Sequence, residues 1–289
     1  MAVFGNIMMV FNQKPIIPLD KLLDLYPNAA SALSLKKIKS DYNGFCLRVR
    51  RLSDDLTQDI GFVDNSLDVF ALESFCSGTD GVVSIWYDQS GNERNATQDL
   101  FSRSPKIVDN GSVILKDSLP AISSDGVNHT MDLAPENNIF NTSFSVFSTF
   151  SYTVKTAQQR LYGYGKSLRV GYILRFISPN IQFFAAQSNG ASNAVIVSVP
   201  EPSTEQRIVV THIGIEDAFV RGKTNESNLE SLPMANFTSD SFEGWKIFTS
   251  RRGLNPIESL TQQIVFYDSD QTDNVSNIET IIKSEFNIE

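Results

Sequence analysis

Short runs of strand-forming residues, separated by clusters of Gly, Pro, Asn and Ser, dominate the chain from about residue 143 onward. Runs of this length with turn signals between them are typical of a β-sandwich or a jelly roll. The candidate strands lie at residues 144–152, 161–165, 172–177, 181–186, 194–199, 207–214, 218–221, 244–249 and 263–267. We therefore predict an all-β fold, in which a few short helices accompany the strands.

The first half of the chain adds further strands. Residues 45–51 alternate apolar and polar side chains, which predicts a strand with one buried face. Residues 81–87, GVVSIWY, predict a buried strand that ends in a dense turn signal at residues 88–92. Two helices are also indicated. Residues 66–76 predict one that begins with Ser66 as its N-cap, and residues 274–286 carry a stripe of apolar side chains at helical spacing.

Charge and composition exclude several classes of protein. The 289-residue chain has 24 Lys and Arg against 33 Asp and Glu, a net charge of −9, which argues against nucleic-acid binding. Its hydrophobic content of 41% is too high for a disordered chain, and we expect no membrane span because no long apolar run occurs. Two histidines and two cysteines nearly exclude a Cys/His zinc cluster. The pattern favours Cys46 and Cys76 as buried free thiols over a single disulfide.

Residues 1–18 differ from the rest of the chain. They hold apolar patches interrupted by Gly5 and Asn6, without the basic start of a secretory signal, so we expect no signal peptide. We interpret them as an N-terminal extended docking arm in front of one domain at residues 19–289. The candidate docking residues are Val3, Phe4, Ile7, Met8, Val10 and Phe11.

Three stretches together resemble a known family. Residues 32–62 include LRVRRLSDD, residues 85–98 include IWYDQSGN, and residues 264–279 include IVFYDSDQ. They resemble the catalytic domain of α-L-arabinofuranosidase B-type enzymes, and more closely the relatives of that domain in tailed-bacteriophage virion proteins. The resemblance extends over roughly residues 19–289 and implies a concanavalin A-like jelly-roll sandwich.

The resemblance also implies where a catalytic pair would lie. Retaining glycoside hydrolysis needs two carboxyl groups about 5–5.5 Å apart. The family's order along the chain implies a Glu near residues 177–182, which read ISPNIQ, and an Asp near residues 250–253, which read SRRG. Neither stretch has a carboxylate, so the sequence favours a domain without hydrolytic activity. An active glycoside hydrolase of α-L-arabinofuranosidase type stays the alternative. The other acids that could form an independent site are Glu136, Glu216, Asp217 and Glu243.

These observations favour a non-enzymatic bacteriophage virion structural protein, associated with a fibre, a tail or the capsid. We expect it to reside in the virion and to contact other virion proteins through the arm. Further copies of itself and host-surface carbohydrate are the other expected partners. A purely structural protein without a ligand is a third hypothesis, which a large exposed apolar patch would indicate.

The candidate carbohydrate-binding residues are of two kinds, aromatic and polar. Trp245, Tyr162 and Tyr164 are aromatic side chains that could stack on sugar rings. Asp88 and Asn92 of the WYDQSGN stretch are polar candidates for the same carbohydrate site, although such residues commonly stabilise a tight turn instead.

A metal site is the remaining candidate. Asp125 and Asn128, in an Asp-Gly turn, are potential Ca²⁺ ligands, but Ca²⁺ takes about six oxygen ligands and only these two can be named. We expect no other cofactor. His129 is interpreted as a turn residue, and His212 as a histidine packed in a sheet.

Overall fold

Two antiparallel sheets face each other across an apolar core in the computed structural model, which describes residues 20–133, 143–153, 158–167, 170–186, 194–202, 206–215, 218–233, 245–249 and 255–288. The strands, numbered in chain order, are β1 (Ala29–Ser34), β2 (Leu47–Arg51), β3 (Thr57–Ile60), β4 (Phe62–Val63), β5 (Ser66–Leu67), β6 (Gly81–Trp86), β7 (Ala96–Thr97), β8 (Lys106–Asp109), β9 (Ser112–Val113), β10 (Leu115–Lys116), β11 (Leu119–Pro120), β12 (Ile122–Asp125), β13 (Met131–Leu133), β14 (Ser143–Tyr152), β15 (Gln159–Ser167), β16 (Val170–Ile177), β17 (Asn180–Ala186), β18 (Ala194–Pro200), β19 (Ile208–Ile215), β20 (Phe219–Thr224), β21 (Glu230–Pro233), β22 (Trp245–Ile247) and β23 (Glu258–Tyr267). The helices are α1 (Leu22–Leu25), α2 (Val69–Phe75) and α3 (Val275–Phe286), and short 3₁₀ turns lie at Phe101–Arg103 and Thr272–Asn274.

The first sheet is built around the long strand β23. Along one edge of β23, its first half pairs with β12 and its second half pairs with β1. The opposite edge pairs with β14. The sheet continues from β14 through β19 and β20 to β21. All of these pairings are antiparallel, so neighbouring strands expose alternate side chains to the same two faces.

The second sheet begins at β3 and continues through β2, β6 and β7 to β13. It then passes through β22, β15, β16 and β17 to β18. Strand β8 joins the two sheets, because it pairs with β6 on one side and with β12 on the other, and β9 pairs with β8. The small hairpins β4–β5 and β10–β11 lie outside this network.

The core fills the space between the sheets. The first sheet contributes buried side chains such as Phe144, Phe150 and Phe266, and the second contributes Trp86 and Phe183. This arrangement is the aligned packing of two sheets in which inward-facing side chains interdigitate. The all-β sandwich predicted from the sequence is confirmed, and every strand segment predicted beyond residue 143 overlaps an observed strand.

The outer face of the first sheet is covered by α1 and α3. Val275, Ile278 and Ile282 of α3 lie in one apolar cluster with Phe147 of β14 and Tyr267 of β23. The predicted C-terminal helix is confirmed, and its apolar stripe is the surface that packs on the sheet. The outer face of the second sheet carries a separate small apolar cluster of Ile173 and Phe184, with Ile196 packed against it.

Helix α2 differs from its prediction at its first turn. Ser66 lies in β5, and the N-cap is Asp68, whose Oδ1 accepts a 2.9 Å hydrogen bond from the backbone N–H of Ala71. Asp and Ser are equally good N-cap residues, so the local sequence does not distinguish Asp68 from Ser66. Ser66 pairs in the β4–β5 hairpin, which leaves Asp68 as the residue that begins the helix. Cys46 and Cys76 are buried free thiols, as expected.

Candidate functional site

Asp88 anchors the turn that follows β6. Its Oδ1 accepts hydrogen bonds from the N–H groups of Ala32 (2.7 Å) and Ser90 (2.8 Å). Its Oδ2 accepts from the Ser90 hydroxyl (2.7 Å) and from the N–H of Arg94 (3.0 Å). Because the carboxylate is 5% exposed and both oxygens are engaged, Asp88 ties this turn to β1.

Two other polar residues of the turn, Gln89 and Asn92, also bond to the backbone around β1. The Gln89 amide donates to the carbonyls of Ser34 (2.9 Å) and Lys36 (2.8 Å) and accepts from the N–H of Ile38 (2.9 Å). The Asn92 amide donates to the Ala29 carbonyl (2.9 Å). The WYDQSGN stretch therefore satisfies backbone groups of the chain around β1, which is the turn-stabilising interpretation of Asp88 and Asn92.

Two of the three predicted stacking residues are not at the surface. Trp245 and Tyr162 are 1% and 0% exposed, and their ring centroids lie 5.5 Å apart inside the core. The Tyr162 hydroxyl is hydrogen-bonded to Nδ1 of His212 (3.2 Å). A sugar cannot reach these two rings without opening the sandwich, because β22 and β15 turn them inward. Tyr164 lies in β15 opposite Trp245, and its side chain is outside the described residues.

The Asp125 carboxylate accepts hydrogen bonds from the backbone of its own turn. Its Oδ1 accepts from three successive N–H groups, those of Val127 (2.9 Å), Asn128 (3.0 Å) and His129 (3.0 Å). Burial opposes ionisation, but these hydrogen bonds outweigh it and hold the pKa of Asp125 below its usual value. Asn128 is exposed, and the described residues contain no cluster of three or more His, Cys, Asp or Glu side chains suited to a metal ion.

Other predicted residues cannot be placed. The docking arm of residues 1–18 and the acids Glu136, Glu216, Asp217 and Glu243 lie outside the described residues, as does the stretch 250–253. The other implied catalytic stretch, residues 177–182, comprises the last residue of β16, the turn at residues 178–179 and the first three residues of β17.

A group of aromatic side chains escaped the sequence analysis. Tyr42, Phe45, Phe62 and Tyr87, here called the aromatic surface, lie next to one another although they come from three separate segments. The Phe45 and Tyr87 ring centroids are 6.1 Å apart, and those of Tyr42 and Phe62 are 6.2 Å apart. Phe45 is 49% exposed, which is unusual for a phenylalanine.

Two open clefts meet at Tyr42. One has a volume of about 560 Å³ and is bounded by Phe45, Phe62 and polar side chains that include Asn43 and Asn65. The other has a volume of about 440 Å³ and lies between Tyr42 and Tyr87, with Asp88, Glu93 and Asn95 along it. Each cleft therefore combines an aromatic wall with hydrogen-bonding groups, the composition typical of a site for a polar, ring-shaped ligand.

Hydrogen bonds hold this surface rigid. The Tyr87 hydroxyl donates to Oδ1 of Asp59 (2.7 Å), and Arg48 donates to both oxygens of the same carboxylate (2.8 Å each). The Arg48 hydrogen bond lowers the pKa of Asp59, and burial together with this carboxylate raises the pKa of Tyr87 to about 12. The Tyr42 hydroxyl donates to the Phe45 carbonyl (2.8 Å), so both tyrosines present fixed rings.

Residues 26–118 match the α-L-arabinofuranosidase B catalytic domain family. The match includes β1, the WYDQSGN turn and the whole aromatic surface, and it confirms the resemblance to that domain over this part of the chain. No curated protein matches the chain.

Solved structures share the fold over most of the chain. An arabinofuranosidase complexed with arabinofuranosyl-α-1,2-xylobiose superposes with a TM-score of 0.62 at 18% identity, covering 91% of this chain and 64% of that one. A mutant of a GH54 α-L-arabinofuranosidase, soaked with 4-nitrophenyl α-L-arabinofuranoside, gives a TM-score of 0.62 at 18% identity, with 91% and 65% covered. The chain thus spans somewhat less than two thirds of these relatives, and at this identity the likeness establishes the fold alone. Among the described residues, no helix is long and apolar enough to span a lipid bilayer.

Proposed function

We propose that this chain is a non-enzymatic structural protein of a bacteriophage virion, associated with a fibre, a tail or the capsid, and that its sandwich binds host-surface carbohydrate. In this proposal residues 1–18 dock the protein on other virion proteins or on further copies of itself. The observation that carries the binding function is the aromatic surface with its two clefts.

The chemistry of the aromatic surface suits a sugar. Pyranose and furanose rings have apolar C–H faces and polar rims, so they stack on aromatic rings while their hydroxyls bond to amides and carboxylates. Phe45 offers an exposed ring with the amides of Asn43 and Asn65 in the same cleft, and Asn95 lies in the second cleft with Tyr87. The fold is compatible with this function, since one solved relative is complexed with an arabinose-containing oligosaccharide.

Open, shallow clefts bind a single sugar weakly. A virion that carries many copies of one protein converts weak contacts into firm attachment, because each additional contact forms at a high effective concentration. A multivalent setting is therefore the one in which this surface would function, which supports a virion location.

A substitution on the aromatic surface tests carbohydrate binding. Phe45→Ala removes an exposed ring with little effect on the core, so we expect binding of the purified protein to host cells or to a glycan array to weaken about tenfold, as for the loss of one stacking contact. Phe70→Ala is the matched control, because Phe70 is 83% exposed on α2 and belongs to neither cleft. Equal binding by the two variants would contradict the proposed site.

Catalysis is tested with a chromogenic aryl α-L-arabinofuranoside. Glycoside hydrolysis by a carboxylate pair needs two acids within about 10 Å of each other, and residues 177–182 supply none. We expect no turnover above a heat-denatured control at micromolar protein. Turnover that disappears on substitution of one Asp or Glu would instead establish the glycoside hydrolase alternative.

Removal of residues 1–18 tests the docking arm. We expect the truncated protein to be absent from assembled particles while its circular dichroism spectrum and melting temperature stay those of the folded sandwich. Particles that incorporate it at the normal level would exclude this role for the arm.

A further inference from the structure

Two Asn-Gly pairs in the described part of the chain lie in different surroundings. Such pairs are chemically labile, because glycine has no side chain to hinder attack of its backbone nitrogen on the asparagine side chain. Asn43 and Gly44 lie in the loop between β1 and β2, whereas Asn110 and Gly111 form the turn between β8 and β9. A third pair, at residues 189–190, lies outside the described residues.

The backbone of Asn110 and Gly111 is held by hydrogen bonds and packing. The Gly111 N–H donates to the Thr79 carbonyl (2.8 Å), and the Asn110 N–H donates to Oδ1 of Asp80 (2.8 Å). A Cβ on Gly111 would lie 2.7 Å from the backbone nitrogen of Gly78, so the turn packs tightly on the neighbouring chain. The Gly111 nitrogen therefore cannot approach the Asn110 side chain until these contacts break.

The backbone of Asn43 and Gly44 has no such contacts. Both residues are exposed, and neither N–H donates to a group in the part of the chain that the structure describes. The Asn43 side-chain amide donates to the Asp41 carbonyl (3.0 Å), an exposed bond that water can replace. The Tyr42 hydroxyl bonds to the Phe45 carbonyl (2.8 Å), which joins the residues on either side of the pair and leaves the Gly44 nitrogen without a bond.

We propose that Asn43 is a site of spontaneous deamidation, and that the fold directs this reaction to Asn43 rather than to Asn110. The Gly44 backbone nitrogen loses its proton and attacks Cγ of Asn43, the Cγ–Nδ2 bond breaks, and ammonia leaves with a proton from water. Water then opens the resulting succinimide ring at either carbonyl, which gives an aspartyl or isoaspartyl residue at position 43 and a new negative charge. Because the attack is intramolecular, its rate depends on how readily the nitrogen reaches Cγ.

The new charge arises in one of the two clefts. Asn43 bounds the cleft of about 560 Å³, which also contains the acidic Asp64. Gly44 packs so closely on Tyr42 that a Cβ there would overlap the Tyr42 hydroxyl, so the longer backbone of an isoaspartyl residue displaces an aromatic wall of the cleft. The consequence for glycan binding rests on the proposed carbohydrate-binding function, whereas the reaction itself does not.

Peptide mapping of the full chain tests the reaction. The folded protein is incubated at mildly alkaline pH and digested with trypsin, which releases Asn43 in residues 40–48 and Asn110 in residues 107–116. Mass spectrometry follows the conversion of amide to acid in each peptide. We expect Asn43 to convert at least about tenfold faster than Asn110, the ratio set by one net hydrogen bond that must break at Asn110. Equal rates, or a faster reaction at Asn110, would overturn the proposal.

The same chain unfolded in guanidinium chloride is the reference. Both pairs are then free of tertiary contacts, so we expect the two rates to agree within about threefold. A preference for Asn43 of the same size in the unfolded chain would refute the part played by the fold.

Asn43→Gln is the matched variant. Its side chain is one methylene longer and would have to close a less favourable six-membered ring, so we expect residues 40–48 to stay unmodified while Asn110 reacts at the wild-type rate. A continued conversion of residues 40–48 in this variant would rule out Asn43 as the reacting residue.

A separate measurement tests the consequence for glycan binding. Ion exchange isolates the protein modified in residues 40–48, and we expect this fraction and the variant Asn43→Asp to bind host glycan at least about tenfold more weakly than the fresh protein. A protein that deamidates at Asn43 but binds no host glycan would retain the modification site and lose the proposed function. A protein that binds host glycan and keeps Asn43 intact would retain the function and lose the site.

Discussion

A single carboxylate, that of Asp88, accepts four hydrogen bonds, three from Ser90 and Arg94 around the turn after β6 and one from Ala32 of β1. Asp88→Asn would place an amide N–H₂ where one of the oxygens accepts from N–H and O–H donors, so buried donors would face each other. We expect a loss of about 2–4 kcal/mol in the free energy of unfolding, measured by urea denaturation. Asp55→Asn, at an exposed position, should change it by less than about 0.5 kcal/mol. Equal effects of the two substitutions would contradict the anchoring role.

At Gly222, in the core, the stability of the fold depends on the absence of a single Cβ atom. A Cβ at this position of β20 would overlap the ring of Phe183, which is fully buried. We expect Gly222→Ala to cost about 1–3 kcal/mol by overpacking, measured by thermal or urea unfolding. Gly61→Ala is the control, since a Cβ there meets no atom within 4 Å. Phe183→Leu should recover part of the loss in the double variant, and failure to do so would refute a steric cause.

At the scale of elements, predictability follows the length of the local signal. Helix α3 could be predicted because its apolar residues repeat at helical spacing over the whole element, and strand β6 because it is a nearly continuous apolar run that ends in a turn signal. The pairing of short strands such as β7 and β13 could not, since two or three residues carry no period and depend on partners elsewhere in the chain. The aromatic surface could not be predicted either, because its residues come together only when β2 pairs with β6.

The central strand β19 gives a pH-dependent prediction through His212. Burial lowers the pKa of this residue to about 3 from 6.5, so below pH 6.5 the unfolded chain binds a proton that the folded chain does not bind. The stability contributed by His212 is therefore lost as the pH falls. Relative to His212→Gln, the wild type should lose about 2 kcal/mol between pH 6.5 and pH 5, measured by urea denaturation. His129→Gln should show a smaller change, because Asp125 offsets part of the burial effect at His129. A pH-independent difference would contradict the buried neutral state.

At the scale of the whole molecule, Glu285 joins the two ends of the described chain. It lies on α3 near Lys21, before α1, and Lys36, after β1, and it accepts a hydrogen bond from the N–H of Leu22. Burial raises the pKa of Glu285 to about 7 from 4.5, although both lysines act in the opposite direction. At a pH between these two values, Glu285 is protonated in the folded chain and deprotonated in the unfolded chain. Its contribution to stability is therefore greatest at low pH and declines as the pH rises towards 7.

His212 and Glu285 consequently oppose each other between pH 5 and pH 6.5. Each contributes a slope of at most about 1.4 kcal/mol per pH unit, with opposite signs, so the two contributions should largely cancel in the wild type and leave the smaller slope of His129. Glu285→Gln should leave a stability that rises with pH, and His212→Gln one that falls with pH. The aspartates with lowered pKa values titrate below this window and do not disturb it. Urea denaturation of the three proteins at several pH values measures these slopes, and equal slopes in the two variants would rule out the opposition, because the sign of each slope depends only on which state binds the proton.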